Sequence, residues 1–352
     1  MHFRDLNRVL PSILDAGISV ELQSAPGRGK SEFIRDFVNE REGWGFATMF
    51  LATMTPSDLL GFLHFTERNG KKVSEFSEPA WLTTVEGKSV RDYARGILFL
   101  DEFGQGEADV KRASAELLLN RQLGPHKLPD GWSVIAASNR SSDRSGVTKS
   151  FDFVINRRVE VHISDDLESW EQWAIKNEIG PEFLTFANQN PHIVFADGVP
   201  AQQGPWCTPR SLVMVANLLG NMRDSSGRLP VDPTAVELSG GLIGQGAAAQ
   251  LFATIRLGLE MPPIEQIIAD PEGVKVPEKP DARMLVAYNL AARIDKSNAK
   301  SIITYVERMP KEFAVTFAKS AIGRDRTLVN APAFVDWAGR NSSLITSIQG
   351  IK

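Results

Sequence analysis

Three short stretches of this chain carry residue types suited to handling phosphate. The first, Ser24-Ala25-Pro26-Gly27-Arg28-Gly29-Lys30-Ser31, follows the spacing G-x-x-x-x-G-K-[ST] except at its first position, where serine stands for glycine. Small residues there let successive backbone N–H groups face a β-phosphate, and Gly27 and Gly29 can adopt the positive φ that such a loop requires. Lys30 brings a cation to the β- and γ-phosphates, Ser31 offers a hydroxyl to Mg²⁺, and the following helix adds its N-terminal dipole. Pro26, Gly27, Arg28, Gly29, Lys30 and Ser31 are therefore the expected nucleotide contacts. A plain glycine-rich turn is the alternative, and it is disfavoured by the placement of the loop between a strand and an amphipathic helix.

The second stretch, Ile97-Leu98-Phe99-Leu100-Asp101-Glu102, is an apolar run that ends in two acids. As a strand it delivers both carboxylates to its carboxyl end, where open α/β sheets bind ligands. Asp101 is then the expected Mg²⁺ ligand, often through water, and Glu102 the group that polarises the attacking water. The third, Trp132-Ser133-Val134-Ile135-Ala136-Ala137-Ser138-Asn139, ends in an amide that can bond the γ-phosphate or orient the water. A fourth group lies further on. Thr208-Pro209-Arg210 opens a helix, with Thr208 as N-cap and Pro209 at the first helical position. A cation in a first turn opposes the helix dipole, and a phosphate partner for Arg210 accounts for its presence there.

Positioning these groups requires a parallel sheet. Ile18 to Gln23 alternates as a strand and runs into the glycine loop, and Ser31 to Asn39 is helical with Phe33, Ile34, Phe37 and Val38 on one face. Phe46 to Ala52, Gly96 to Leu100 and Trp132 to Ser138 are apolar strands without charge, as expected when helices cover both faces. Asp109 to Leu119 is a connecting helix, and Leu6 to Ala16 reads as a leading helix interrupted by Pro11. Strand, loop, helix and strand in this order predict an α/β fold.

The order of motifs resembles the AAA+ ATPases, a branch of the P-loop superfamily, and within them the MoxR-like group, over roughly residues 15 to 255. The carriers are Ser24, Pro26, Gly27, Gly29, Lys30 and Ser31 of the loop, LFLDEF as a Walker B strand, and Asn139 at the place of sensor 1. Thr55 to Gly61 and Glu78 to Leu82 are similar to the segments that bracket an insertion in this group. Between them Asn69-Gly70 is a strong hairpin turn signal, so a hairpin is expected near 62–78. The resemblance implies that this hairpin faces a ring pore. It further implies that Arg157 or Arg158, in Val154-Ile155-Asn156-Arg157-Arg158-Val159, acts as an arginine finger on a neighbouring subunit, and that Arg210 is sensor 2. ATP and Mg²⁺ are the implied cofactors. A homohexameric ring and a protein partner, one with a von Willebrand A domain among the candidates, are the implied assembly.

Domain organisation follows from changes of periodicity. Residues 1–165 form the expected large α/β nucleotide-binding domain, 166–260 a helical lid, 261–280 a linker rich in proline and acids, and 281–352 a helical C-terminal region with no readable motif. At 352 residues, 42% hydrophobic and 23% charged, the chain is ordinary for a globular protein. Its net charge of -4 provides no global field for nucleic acid or anionic membrane. One cysteine, Cys207, excludes an intrachain disulfide and a zinc cluster. The expectation is a cytoplasmic protein without membrane insertion, since no apolar run is long enough to span a bilayer. The five histidines lack metal-ligand spacing, Ser138 and Ser141-Ser142 lie in no nucleophile elbow, and Trp170 and Trp173 read as core. Two rival functions remain. A nucleic-acid motor or loader of the same superfamily is hinted at by Arg68, Lys71 and Lys72, and a nucleotide-gated switch with little turnover is allowed by Ser24.

Overall fold

The computed structural model describes residues 1–143, 146–147, 152–164 and 166–341. It separates into two compact units, residues 1–165 with 197–201, and residues 166–196 with 202–352. Of the C-terminal region, 342–352 lie outside the described residues, as does Asp165 at the expected domain boundary.

In the first unit, α1 (Phe3–Asp15) is followed by β1 (Ser19–Ser24), α2 (Lys30–Asn39), β2 (Trp44–Phe50) and α3 (Pro56–Leu60). A hairpin of β3 (Leu63–Arg68) and β4 (Lys71–Phe76) comes next, then β5 (Arg95–Asp101) and α4 (Ala108–Asn120). A second, very short hairpin pairs β6 (Gln122–Leu123) with β7 (His126–Lys127), and β8 (Trp132–Asn139), α5 (Asp152–Ile155) and β9 (Arg158–His162) complete the unit. Five strands form one sheet in the order β2-β5-β8-β1-β9, every pair parallel. The fold class expected from the sequence is the one observed: an α/β parallel sheet flanked by helices, with a helical region after it.

The uncharged strands are buried on both faces because their side chains alternate between two cores. Phe46, Ile97, Phe99, Ile135 and Ala137 pack with α1 and α2 through Leu10, Ile34 and Phe37. Ala47, Leu98, Leu100, Val134 and Ala136 pack on the opposite side with Val110, Leu117 and Leu118 of α4. At the amino end of the sheet, the Trp132 indole packs against Gly45 and Gly96; a Cβ added at either would meet ring atoms 2.6 Å away. Helix α1 is not interrupted at Pro11. It continues because Leu6, Leu10 and Leu14, four residues apart, bury one stripe across the missing hydrogen bond.

The second unit is helical among its described residues. Helices α6 (Leu167–Lys176), α7 (Pro181–Gln189), α8 (Pro191–Val194), α9 (Pro209–Asn221), α10 (Pro233–Ile243) and α11 (Gln245–Leu259) share one core, in which Phe183, Phe186, Leu212 and Phe252 are buried. Helices α12 (Ile264–Ala269), α13 (Pro280–Arg293), α14 (Ala299–Val306), α15 (Lys311–Arg324) and α16 (Pro332–Arg340) form a second core around Leu290, Phe317 and Trp337. The proline-rich stretch 261–280 thus carries a helix, α12, whose Ile267 is fully buried. No helix among the described residues is long and apolar enough to cross a membrane.

Candidate nucleotide site

Because β1, β5 and β8 are parallel, their carboxyl ends lie along one edge of the sheet. The register sets Ser24 opposite Asn139, and β8 lies between β1 and β5. The glycine loop, the two acids and the amide therefore meet without any long-range adjustment. Gly27 and Gly29 adopt φ of 76° and 84°, in the left-handed region as the loop requires. Gly29 is the N-cap of α2, so the first helical N–H groups open toward the loop.

Lys30 is 8% exposed and its ammonium is directed back into the loop. It donates to Ser24 Oγ at 2.9 Å, to the Ser24 carbonyl at 3.3 Å and to Asn139 Oδ1 at 3.2 Å. Ser31 Oγ donates to Asp101 Oδ2 at 2.7 Å. These bonds bring together Lys30, Ser31, Asp101 and Asn139. Glu102 follows directly, exposed, with φ 52°, and its N–H is held by Asp101 Oδ1 at 2.9 Å. Pro26 and Gly27 are half-buried and Arg28 is buried, so the loop is closely packed on its sheet side.

Ser24, the departure from the motif, is the last residue of β1. Its hydroxyl accepts from Lys30 and donates to the Ala25 carbonyl at 2.9 Å. A side chain is accommodated here because the chain is still extended, and the turn begins afterwards. Ser24→Gly is expected to change the ATP dissociation constant by no more than about tenfold, since the bond lost, from the Lys30 ammonium to a hydroxyl, is worth about 1.5 kcal/mol; equilibrium titration of both proteins checks it.

The arginines are placed less uniformly. Arg157 Nη1 donates to the Ala115 carbonyl of α4 at 3.0 Å. Arg158 begins β9 with its side chain only 2% exposed, ion-paired with Glu21 of β1. Arg158 is therefore turned into its own chain. Arg210 is exposed in the first turn of α9, where the Thr208 hydroxyl accepts from Ser211 N–H at 3.1 Å. Asn156, just before the pair, is exposed.

Other groups at this edge had no signal in the sequence. Arg140, next to Asn139, pairs with Asp143 at 3.0 Å and Asp197 at 2.8 Å. Its bond to Asp143 raises the guanidinium pKa, and the Arg140 charge holds the Asp197 carboxyl below the usual range. Among the described residues no cluster of three or more His, Cys, Asp or Glu side chains is arranged as a metal cage. A hydroxyl with one carboxylate, as in Ser31 and Asp101, is instead the sparse oxygen set that Mg²⁺ uses beside substrate phosphates.

No protein-family model matches the chain, and no curated protein is detectably similar. Solved structures give weak likenesses. A protein assigned as an ATPase from Cytophaga hutchinsonii is 14% identical, with 91% of this chain and 79% of that one covered and a TM-score of 0.35. Two single-substitution variants of RuvB from Thermotoga maritima are 11% and 12% identical, each with 96% of this chain and 87% of that one covered, at TM-scores of 0.37 and 0.33. At these scores the likenesses add nothing to the strand order and the site geometry.

Proposed function

We propose that this chain is a Mg²⁺-dependent AAA+ ATPase of the MoxR-like group that acts as a homohexameric ring and remodels a protein partner. The observation that carries the ATPase reading is the meeting of Lys30 with Ser24 and Asn139, and of Ser31 with Asp101, at one sheet edge. Each of these contacts is one that a Mg²⁺–nucleotide takes over. The Lys30 ammonium exchanges carbonyl and hydroxyl partners for β- and γ-phosphate oxygens, and the N–H groups of residues 27–31 line the β-phosphate. Ser31 and Asp101 would hold Mg²⁺, which supplies charge neutralisation at the phosphates. Glu102 accepts a proton from the attacking water, and Asn139, released by Lys30, orients that water. Wild-type protein that releases no phosphate from ATP with Mg²⁺ would overturn the reading.

For the ring, Arg157 is the proposed finger, since Arg158 is engaged with Glu21. Arg157→Ala is expected to lower turnover by about 10³-fold with ATP affinity within a few-fold of wild type. Native mass measurement with and without ATP checks the assembly, and a monomer under every condition would remove the finger mechanism.

The hairpin supports a protein partner over nucleic acid. Phe62, Leu63 and Phe65 are 69%, 57% and 78% exposed, which gives it an apolar surface. Two of its three basic residues face acids: Arg68 pairs with Glu75 at 2.9 Å, and Lys72 lies opposite Glu67 in the register, while Lys71 lies opposite Arg68. The ends of the insertion are tied by Trp81 Nε1 donating to the Leu59 carbonyl at 2.7 Å. A von Willebrand A-type domain as the partner is proposed on the MoxR-like resemblance. Salt-dependent DNA binding that stimulates hydrolysis would favour the motor or loader instead.

A further inference from the structure

Strands β2 and β5 are largely apolar on both faces ahead of their carboxyl ends, and β1 is not. On its α1 and α2 side β1 buries Val20 and Leu22, yet on its α4 side it buries Ser19 and Glu21. Glu21 is 2% exposed. Its Oε1 accepts from the Ser138 hydroxyl, and its Oε2 pairs with the Arg158 guanidinium. Lys111 of α4 is fully buried nearby, and its ammonium donates to the Gly104 carbonyl at 2.6 Å. Burial pushes the Lys111 pKa down, while the Glu21 charge acts in the opposite sense. A buried carboxylate between two buried cations is costly to assemble, so what it holds in place matters.

The two residues bonded to Glu21, Ser138 and Arg158, and the lysine on which its charge acts, Lys111, all touch the turn that carries Glu102. Lys111 holds the Gly104 carbonyl. Ser138 packs against Gly104 so closely that an added Cβ there would lie 3.1 Å from the Ser138 Cβ. The Arg158 guanidinium lies 5.5 Å from the centre of the Phe103 ring. Glu102 itself has φ 52°, a left-handed conformation that a non-glycine residue keeps only when its surroundings impose it. The same cluster reaches the proposed finger, because Arg158 is the residue after Arg157, whose guanidinium bonds the α4 carbonyl of Ala115.

We propose that Glu21 is a positioning residue for hydrolysis: its buried carboxylate locks Ser138, Lys111 and Arg158 against the 102–106 turn and so aims Glu102, and it anchors the start of β9 beside Arg157. The proposal rests on the ATPase reading, since it assigns a role in that reaction. Glu21 touches neither substrate nor metal in this scheme. A merely structural acid would change stability and leave turnover per folded molecule intact, whereas a positioning acid changes turnover with binding preserved.

The test uses the full chain as wild type, Glu21→Gln and Ser138→Ala. Steady-state kinetics and equilibrium ATP binding are measured, together with hydrogen exchange without nucleotide at Gln105 and Gly106, whose amides bond the Glu102 and Phe103 carbonyls at 3.0 and 3.3 Å. For Glu21→Gln, kcat is expected to fall about tenfold or more with KM and Kd within about threefold. Exchange at the turn should rise about tenfold or more while residues 97–100 stay protected. Ser138→Ala should move both readouts in the same direction by a few-fold, and it carries the test alone if Glu21→Gln does not fold. Turnover within twofold of wild type, or unchanged exchange at the turn, overturns the proposal. If wild type hydrolyses no ATP, the ATPase reading fails separately. The exchange arm then still decides whether Glu21 holds the turn: faster exchange supports that role and unchanged exchange rejects it.

Discussion

Lys30→Ala is expected to weaken ATP binding by about 100-fold or more. Lys30 is almost fully buried and its ammonium bonds Ser24 and Asn139, so it is already fixed where the proposed nucleotide's phosphates would arrive. A charge-assisted hydrogen bond is worth about 1.5–3 kcal/mol, and loss of the bonds to two phosphate groups amounts to about 3 kcal/mol or more. The substitution also removes the cation that would face the γ-phosphate, so hydrolysis of any nucleotide that still binds should fall as well. Titration with ATP and with ADP checks it. An affinity equal to wild type would mean that the loop does not hold phosphate, and the whole site would have to be read again.

Glu102→Gln separates the other half of the reaction. Glutamine keeps the size and shape of the side chain and cannot accept a proton. Glu102 is exposed, so the change puts no unpaired group into the core. Turnover is expected to fall by about 10² to 10⁴-fold, the usual contribution of a positioned general base, with ATP affinity within a few-fold. Single-turnover phosphate release is the appropriate measurement, because it excludes slow product dissociation. Equal rates for the variant and wild type would favour a nucleotide-gated switch over a motor. The contrast between the two variants is the informative result: one fails to bind, the other binds and waits.

The sheet could be read from the sequence because its strands carry their own diagnosis. Runs such as Ile97 to Leu100 contain nothing that water would solvate, and a polar residue at each carboxyl end marks the edge where chemistry collects. The loop was legible for a related reason, since Gly27 and Gly29 do a backbone task that few residues can do. What went unread or was misread has equally local causes. Strand β9 is five residues long and sits at the sheet edge, with Arg158, Glu160 and His162 interleaved with valines, so it reads as a charged connection. The short β6–β7 hairpin gave too few residues for alternation to register. Pro11 suggested a break that the leucine stripe of α1 overrides, and proline at the linker masked helix α12. Glu21 was the least visible: in Ser19 to Gln23 it looks like the solvated side of an alternating strand. Its pairing with Ser138 and Arg158, both far along the chain, shows that this side is buried. The same pairing distinguishes Arg158 from Arg157, which adjacent positions in a sequence could not do.

The seat of Trp132 has a consequence for how this chain can drift over generations. The indole needs bare backbone beneath it at Gly45 and Gly96, and Gly131 beside it has no room either, since a Cβ there would come within 1.9 Å of the Ala94 carbonyl oxygen. Positions 45 and 96 should therefore be inherited as a set with 132. Loss of the tryptophan alone frees neither position, because a Cβ at 45 would still lie 2.8 Å from the Tyr93 ring and one at 96 would lie 2.6 Å from the Gly45 carbonyl oxygen. That corner of the sheet should thus be inherited as a block, and reconstructed ancestors with a non-glycine at 45 or 96 should be found only where the ring is absent and its surroundings have changed as well.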